Sequence, residues 1–349
     1  MQKKIVFLWP NAVPYMLRVY EQLGDWGYKV TVYNSAMDSS APCYANPHNG
    51  VDYRESEHLD YEALLEEVKV INPDMIVTSG WHTKKYKKVC RFFKQKKEIP
   101  TLCKIDSQYL HTWHQKIGFL LSPWFCKPAF SHMLVPGVRQ YYFARRLHYD
   151  RSHILLFGLS ADTALFDGIN ITSKQSKYPH TFLFVGRLLK LKGLELLLKA
   201  WKSLSDKKDW RLMIVGSGPE KERLHLDNED SIEFNEYMQQ DELARLTVES
   251  GVMVLPSTYE AWAVVMHELA AAGLPLLCSE ACGAVPHFLI RGFNGFTFET
   301  GDDKSLRVQM EKFIAMTDDE LYQMAQNSRK LSCQINPEFS AASIVSVIR

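Results

Sequence analysis

Two glutamates near the end of an apolar run are spaced to act on one ligand. Glu260 lies in a short polar segment after a run that ends at Pro256, and Glu268 lies inside the Ala- and Val-rich stretch that follows. If that stretch is a helix, its first N–H groups lack partners and favour an anion such as a diphosphate. Glu268 would lie roughly 7 Å along the axis and lean back towards the helix start. The spacing indicates two carboxylates around one anionic ligand; the alternative is two solvated surface glutamates.

A second segment supplies positive charge. Arg187 and Lys192 follow the buried strand predicted at 181–186, and they could neutralise two phosphates, Arg187 as a bidentate fork and Lys192 as a point charge. The glycine turn at Gly216 ends another predicted strand, but it lacks the full G-x-G-x-x-G pattern and is weak evidence alone. The alternative for the segment with Arg187 and Lys192 is an ordinary solvated loop.

The elements that must position these side chains form a repeating pattern. Six apolar runs of strand length precede residue 160 and six follow residue 180, with helix-length segments between them. Continuous apolar strands are typical of a parallel sheet that is covered on both faces. We therefore predict an α/β protein with two doubly wound, Rossmann-like domains that face a central cleft, with ligands beyond the carboxyl ends of the strands.

The domain boundaries follow from composition. The stretch 166–180 is polar, contains glycine and proline, and has no apolar period, so it is predicted to be a linker. This places the N-terminal domain at 1–165 and the C-terminal domain at 181–335. Residues 336–349 are predicted to form a closing helix that packs back towards the N-terminal domain.

Composition excludes several classes of protein. The chain has 349 residues, a formal net charge of +1 and 46% hydrophobic residues, which are globular values. It contains no apolar run of the ~18 residues that a membrane-spanning helix needs. The seven cysteines are scattered and do not suggest a disulfide framework or a zinc site. We expect a cytoplasmic protein, with a peripheral position on the inner membrane face as the alternative.

The motifs taken together resemble a known family. Segment 252–275 combines a strand, Pro-Ser-x-x-Glu, a second glutamate eight residues later and Ala-Ala-Gly-Leu-Pro. Segment 185–193 contains Val-Gly-Arg-x4-Lys-Gly, and segment 215–219 contains Val-Gly-Ser-Gly-Pro. Asp162 to Phe166 and Gly292 to Gly295 match as well. Their order and spacing resemble family-4 retaining glycosyltransferases of the GT-B fold.

The resemblance implies a role for each candidate residue. The first domain would hold the acceptor and the second a nucleotide-sugar donor. Arg187 and Lys192 would hold the diphosphate, Glu268 the ribose, and Glu260 the sugar ring. The other implied donor contacts are the backbone around Gly186 and Gly216, the base-side residues Glu236 and Tyr237, and the ring-side residues Ala261, Trp262, Ala263 and Val264. No metal or other cofactor is implied.

The implied reaction is the transfer of a hexose from a nucleotide diphosphate sugar to a hydroxyl acceptor in glycan, polysaccharide or glycolipid synthesis, with retention of configuration. A UDP-sugar is expected because it is frequent in the resembling family. Two alternatives remain: a catalytically silent nucleotide-sugar-binding regulator, and a GT-B enzyme that hydrolyses or epimerises the sugar nucleotide.

Three positions depart from the pattern of that family. The first strand is followed by Pro10 to Tyr15 where many members have a glycine pair. Asp106 stands where many members have a histidine near the reacting sugar, so it is either a catalytic contact or the cap of the next helix. Ala263 replaces a frequent glycine and is expected to have helical backbone angles.

The first domain also carries two unusual segments. Residues 1–158 hold 21 basic and 14 acidic residues, and eight of the basic ones lie in Lys84–Lys97 without an acidic residue. This segment is predicted to be a helix with one apolar stripe, and its cations could rest on anionic lipid or simply face water. Nucleic acid is not expected, because the chain as a whole is near neutral. The aromatic segment 113–130 is expected to pack within the domain rather than to form an exposed apolar lip.

Overall fold

Apolar runs form two separate parallel sheets in the computed structural model, which describes residues 2–11, 13–36, 48–224 and 231–348. The chain divides into two compact units. The first unit runs to Ser160 and also contains the residues from Pro337 onward, and the second unit comprises Ala161–Asn336.

The first unit is built on a seven-stranded parallel sheet with the strand order β3-β2-β1-β4-β5-β6-β7. Its elements are β1 (Lys4–Asn11), α1 (Pro14–Asp25), β2 (Lys29–Ala36), β3 (Val51–Glu55), α2 (Tyr61–Ile71), β4 (Met75–Ser79), α3 (Lys84–Lys97), β5 (Thr101–Lys104), α4 (Trp113–Phe125), β6 (His132–Leu134), α5 (Val138–Arg146) and β7 (Ile154–Leu155). Alternate residues of β1 enter different cores, since Val6 and Leu8 pack on one face of the sheet and Ile5 and Phe7 on the other. Burial on both faces explains why residues 5–10 of this strand are all apolar.

The second unit has a six-stranded parallel sheet with the order β10-β9-β8-β11-β12-β13. Its elements are α6 (Thr163–Asp167), α7 (Ser173–Ser176), β8 (Thr181–Val185), α8 (Leu194–Lys202), β9 (Arg211–Val215), α9 (Glu220–Leu224), β10 (Ile232–Asn235), α10 (Gln240–Leu246), β11 (Val252–Leu255), α11 (Val264–Ala271), β12 (Leu276–Ser279), α12 (Val285–Phe288), β13 (Gly295–Phe298), α13 (Asp303–Ala315) and α14 (Asp318–Ser332). Because all the strands are parallel, the loops after their carboxyl ends lie at one edge of the sheet.

The last helix, α15 (Pro337–Val345), belongs to the first unit. Its buried residues Ala341 and Ile344 join the core that contains Phe7 and Val19. The hydroxyl of Ser340 donates a 2.6 Å hydrogen bond to the carbonyl of Phe157. The chain thus returns to its first unit after completing the second.

The structure divides the chain differently from the sequence-based expectation. The first unit ends at Ser160 rather than 165, and residues 166–180 are part of the second unit rather than a linker. This stretch is anchored by Phe166, Ile171 and Tyr178, which are all buried, while the amino group of Lys174 donates a 2.7 Å hydrogen bond to the carbonyl of Ser250. The polar composition of the stretch concealed three isolated anchors that have no regular period.

Two first-unit helices give opposite outcomes. The prediction for Lys84–Lys97 is confirmed, because α3 has these bounds and buries the stripe Tyr86, Val89, Cys90 and Phe93. The expectation that the aromatic segment 113–130 packs inside the unit is wrong for much of α4. Phe119 is buried, but Trp113 and Trp124 are 75% and 69% exposed.

Candidate active site

The loops after β8 and β9 in the second unit are held together through glycines. Gly216 has a φ of +148°, and a Cβ built there would lie 1.9 Å from the carbonyl oxygen of Gly186, so only glycine allows this approach. The N–H of Leu188 donates a 2.7 Å hydrogen bond to the carbonyl of Ser217. The contact brings the backbone that precedes Arg187 next to the glycine turn after β9.

The loop after β8 is also joined to the loop after β11. Gly193 has a φ of +72°, and a Cβ there would lie 2.0 Å from the carbonyl oxygen of Pro256. The N–H of Thr258 donates a 2.8 Å hydrogen bond to the carbonyl of Leu191. These contacts fix the short turn around Lys192 against the segment that carries Glu260.

Lys192 and Glu260 form an ion pair across these two loops, and each side chain is only 14% exposed. The hydroxyl of Ser257 lies 3.5 Å from the same carboxylate oxygen, Oε2 of Glu260. The carbonyl of Glu260 accepts a 2.9 Å hydrogen bond from the N–H of Gly283, which ties the loop to the segment after β12. Lys192 and Glu260 therefore both lie on loops whose backbone is held in place by contacts with neighbouring segments.

Arg187 differs from Lys192 in its environment. Its side chain is exposed and forms no ion pair with any residue in the described parts of the chain. It follows Gly186 at the carboxyl end of β8, the strand between β9 and β11. Its guanidinium is available to an anion at this edge of the sheet, whereas the ammonium of Lys192 already has a carboxylate partner.

The start of α11 departs from the expected backbone. Ala263 precedes the helix with φ +75° and ψ +75°, in the left-handed region, so the expectation of helical angles is wrong. Within the described residues, no side chain caps the helix at this position. The neighbouring Trp262 is buried against His287 and Phe288, and its indole N–H has no hydrogen-bond partner within the described structure. The left-handed turn lets the chain change direction directly after Trp262 and begin the helix at Val264.

Glu268 lies inside α11 and is only 7% exposed. Burial raises the pKa of its carboxyl to about 7, an effect that the nearby charge of Asp162 reinforces. The side-chain amide of Gln240, at the start of α10, donates a 2.7 Å hydrogen bond to Oε1 of Glu268 and opposes that shift. Gln240 was not predicted to belong to the site, because it lies 28 residues from its partner in the chain.

His267, the residue before Glu268, has a structural role in positioning α11. His267 is fully buried, and burial lowers the pKa of its imidazole to about 4. Its Nδ1 accepts a 3.0 Å hydrogen bond from the N–H of Ala161, so its Nε2 is the atom that donates to the carbonyl of Ser332, also at 3.0 Å. The ring stacks on Phe288. Neutral His267 thus holds α11 between two other segments of the second unit.

The candidate base-side residues follow β10. Glu236 pairs with Lys221 of α9 and has a side chain that is 65% exposed, and Tyr237 is 39% exposed. Both residues lie at the carboxyl edge of the sheet, after the strand that pairs with β9. The structure therefore brings Gly186, Arg187, Lys192, Gly216, Glu236, Tyr237 and the 260–268 segment to one edge of the second unit.

Asp106 belongs to the first unit, where it follows β5. It does not cap the next helix, because α4 begins at Trp113 and its cap is Thr112, so that alternative is wrong. Its carboxylate lies 3.9 Å from the amino group of Lys104, which is 3% exposed. Burial opposes the charge of Lys104, yet Tyr15 and Asp106 keep its pKa above its ordinary value. Lys104 was not predicted to be a buried cation, although a lysine at the end of an apolar strand is a sequence signal for one.

No cluster of three or more His, Cys, Asp or Glu side chains suited to a metal ion occurs within the described residues. In the same described residues, no helix is long and apolar enough to cross a membrane. The expectation that no metal or cofactor takes part stays a prediction.

The fold and the family model point to one class of protein. Two parallel Rossmann-like sheets of this kind define the GT-B fold, which confirms the predicted fold class. Residues 170–331, which contain all the second-unit candidates, match the family model described as glycosyl transferases group 1.

Known proteins extend this comparison. An uncharacterized glycosyltransferase of Haemophilus influenzae is 35% identical over 159 residues, which are 44% of this chain and 44% of that protein. The chain thus spans less than half the length of the curated relatives it matches. Among solved structures, sucrose-phosphate synthase from Thermosynechococcus elongatus has a TM-score of 0.76 at 17% identity and covers 98% of this chain and 97% of its own. HepE from Anabaena, solved in complex with UDP-glucose, has a TM-score of 0.74 at 17% identity, with 98% of this chain and 99% of that chain covered.

Proposed function

We propose that this protein is a retaining glycosyltransferase that moves a hexose from a nucleotide diphosphate sugar to a hydroxyl acceptor. The observation that carries the proposal is the ion pair of Lys192 and Glu260 beside the uncapped start of α11. A cation, a carboxylate and free helix N–H groups suit the phosphates and hydroxyls of such a donor. The match of residues 170–331 to group 1 glycosyltransferases supports the same activity.

In this proposal each group has one task in donor binding. The diphosphate lies against the start of α11 and is held by Arg187 and Lys192. Its phosphates replace Glu260 as the partner of Lys192, and the released carboxylate accepts hydrogen bonds from the sugar. Glu268 lies more than one helical turn into α11 and accepts hydrogen bonds from the ribose hydroxyls. Gly216 lets the chain pass close to the phosphates, and Glu236 and Tyr237 border the base.

The proposed reaction is a front-face displacement. The bond between the anomeric carbon and the phosphate oxygen breaks while the acceptor oxygen bonds to the same face of that carbon, and the departing phosphate oxygen takes the acceptor proton. Negative charge grows on the leaving diphosphate, so Arg187 and Lys192 stabilise the transition state more than the ground state. In the first unit, Asp106 is proposed to accept a hydrogen bond from the sugar or the acceptor. No step requires a metal or another cofactor.

The donor is proposed to be a UDP-sugar. The HepE structure contains UDP-glucose, and that protein shares the fold of this chain at low sequence identity. Thermal unfolding measured with UDP, GDP and ADP tests the base directly, since a nucleotide at 100 times its dissociation constant adds about 2.7 kcal/mol of stability. Stabilisation by GDP or ADP in place of UDP would contradict this part of the proposal.

Donor turnover separates the proposed activity from its alternatives. The purified chain is incubated with UDP-sugars with and without hydroxyl acceptors, and the anomeric configuration of the product is read by NMR. We expect acceptor-dependent release of UDP and a product that retains the configuration of the donor. Release without acceptor would indicate a hydrolase, a changed sugar nucleotide an epimerase, and tight binding without turnover a regulatory protein. An inverted product would contradict the front-face mechanism.

A further inference from the structure

Helix α4 presents a continuous apolar face to solvent. The residues Trp113, Ile117, Leu120, Leu121 and Trp124 recur at i, i+4, i+7, i+8 and i+11, and all five are exposed. The opposite face of the helix carries the buried Phe119 and Ser122. We call the five exposed residues the Trp113 face. Single exposed apolar residues are ordinary, but a contiguous stripe with two tryptophans indicates an interaction surface.

A basic helix lies beside this face. The amino group of Lys94 in α3 donates a 2.9 Å hydrogen bond to the carbonyl of Phe130, just after α4, and the rings of Trp81 and Phe125 are 6.2 Å apart. Both helices contribute to the same core cluster, on one face of the first sheet. They therefore lie side by side in one layer with their outer surfaces towards solvent.

The outer surface of α3 is strongly cationic. It exposes Lys84, Lys88, Arg91, Lys96 and Lys97, and the helix contains no acidic residue. On α4, the amino group of Lys116 lies 5.4 Å from the ring centroid of Trp113, at the margin of the apolar stripe. The combined surface is an apolar strip bordered by positive charge.

We propose that the Trp113 face and the cationic surface of α3 together form a docking site for a bilayer that contains anionic phospholipid. Tryptophan and leucine suit the boundary between head groups and acyl chains, and lysine and arginine suit anionic head groups. The α4 helix has 13 residues, which is enough to lie in the plane of the interface and too few to span a bilayer. This inference goes beyond the proposed function and does not depend on it.

A second copy of the chain is the other occupant to consider. A symmetric contact through the Trp113 face would bring together two chains that each carry a cationic α3 helix, with eight basic residues and no acidic one. The like charges would repel each other. An anionic lipid surface instead complements both parts of the site, so the charge distribution favours the bilayer.

Vesicle flotation tests the proposal on the full chain. The probes are vesicles of phosphatidylcholine alone and vesicles of phosphatidylcholine mixed with phosphatidylglycerol. We expect binding to the anionic vesicles only, weakened by added salt because exposed charges are screened. No binding to either vesicle, or equal binding to both, would overturn the proposal.

Two variants and two matched controls separate the apolar and the charged contributions. The apolar variant is Trp113→Ser/Leu120→Ser/Trp124→Ser, with Val70→Ser/Ile290→Ser/Val308→Ser as its control at exposed apolar residues elsewhere. The charge variant is Lys84→Gln/Lys88→Gln/Arg91→Gln, with Lys202→Gln/Lys304→Gln/Lys330→Gln as its control. We expect the charge variant to partition roughly a hundred-fold less and the apolar variant at least about ten-fold less. Controls that lose as much binding as the variants would overturn the proposal.

A direct measurement covers the case in which the apolar variant fails to fold. Brominated phospholipid in the anionic vesicles quenches tryptophans that reach the acyl chains. We expect quenching in the unmodified chain and its loss in the conservative variant Trp113→Phe/Trp124→Phe, which still binds. Quenching that persists in that variant would overturn the proposal. So would a dimer in solution, seen by light scattering, that the apolar variant converts to a monomer.

Discussion

The amino group of Lys192 forms an ion pair with the carboxylate of Glu260, 68 residues away in the chain. The pair connects the loop after β8 to the loop after β11, and the contact between Gly193 and Pro256 supports it from behind. The cation is therefore held where two strands of the second sheet end. An anionic ligand at this edge must compete with Glu260 for Lys192, so the two residues are expected to act as one unit.

A double-mutant cycle on this pair tests that coupling. We expect Lys192→Ala and Glu260→Gln each to lower kcat/KM. The expected loss of transition-state stabilisation is about 2–4 kcal/mol for each variant, as for loss of an oxyanion-stabilising donor. The double variant should be little worse than the poorer single variant, because residues that act together are not additive. Steady-state kinetics on donor and acceptor measures this. Lys190→Ala, an exposed lysine two positions away, is the matched control and should retain activity.

Arg187 should matter for turnover and not for stability. Its side chain is exposed, so Arg187→Ala is expected to change the free energy of unfolding by less than about 0.5 kcal/mol. Turnover should fall, with a loss of about 2–4 kcal/mol in transition-state stabilisation. Activity should recover in part in Arg187→Lys, which keeps the charge but loses the bidentate guanidinium. Arg211→Ala, at the amino end of β9, is the control. Equal turnover in the Arg187 and Arg211 variants would remove Arg187 from the site.

Most of the layout of this site follows from local sequence. The strand, the turn and the start of α11 around Glu260 are set by an apolar run, by Pro256 and by the helix formers that follow. The surroundings of Glu268 are different, because the hydrogen bond from Gln240 and the charge of Asp162 come from other segments. The partner of Lys192 is likewise fixed only by packing between loops. Local pattern therefore predicts which groups reach the sheet edge but not which of them pair.

The edge strand of the first sheet and the exposed face of α4 were harder to predict than the buried elements. Strand β3 was not predicted, because Val51–Glu55 lies at the edge of the first sheet and has no fully buried residue. The exposure of Trp113 also contradicts the general tendency of tryptophan to be buried. Apolar periodicity shows that α4 has an apolar face, and only the assembled structure shows which face is covered.

Ala263 offers a test of backbone conformation that is independent of catalysis. A left-handed alanine costs about 1–2 kcal/mol relative to a right-handed one, while glycine loses about 0.5–1 kcal/mol more backbone entropy on folding. Ala263→Gly is therefore expected to stabilise the chain by up to about 1 kcal/mol, measured by urea unfolding. Ala270→Gly, inside α11 where the backbone is right-handed, is the control and should destabilise it by about 1 kcal/mol. Equal destabilisation by both variants would refute a left-handed Ala263.

The buried carboxyl of Glu268 should make stability depend on pH in a definite direction. Its pKa is about 7 in the folded chain against an ordinary 4.5, so between these values the folded state keeps a proton that the unfolded state releases. Stability from this group therefore falls as pH rises from about 4.5 to 7, by on the order of 3 kcal/mol. His267 acts in the opposite direction, since its pKa is lowered to about 4, and stability from it rises with pH between about 4 and 6.5.

Comparison of variants isolates Glu268 from His267. Glu268→Gln removes the buried charge, so we expect it to be more stable than the unmodified chain by on the order of 1–3 kcal/mol at about pH 8 and equally stable at about pH 4.5. Denaturant unfolding at both values measures this, with Glu299→Gln at an exposed position as the control. The same variant should bind the nucleoside diphosphate roughly ten- to a hundred-fold more weakly in calorimetry, because a charged acceptor of the ribose hydroxyls is lost. Higher stability of Glu268→Gln with unchanged nucleotide affinity would show that Glu268 is a buried acid without a role in the site. Higher stability together with weaker nucleotide binding would show that the chain gives up stability to keep this carboxylate for its ligand.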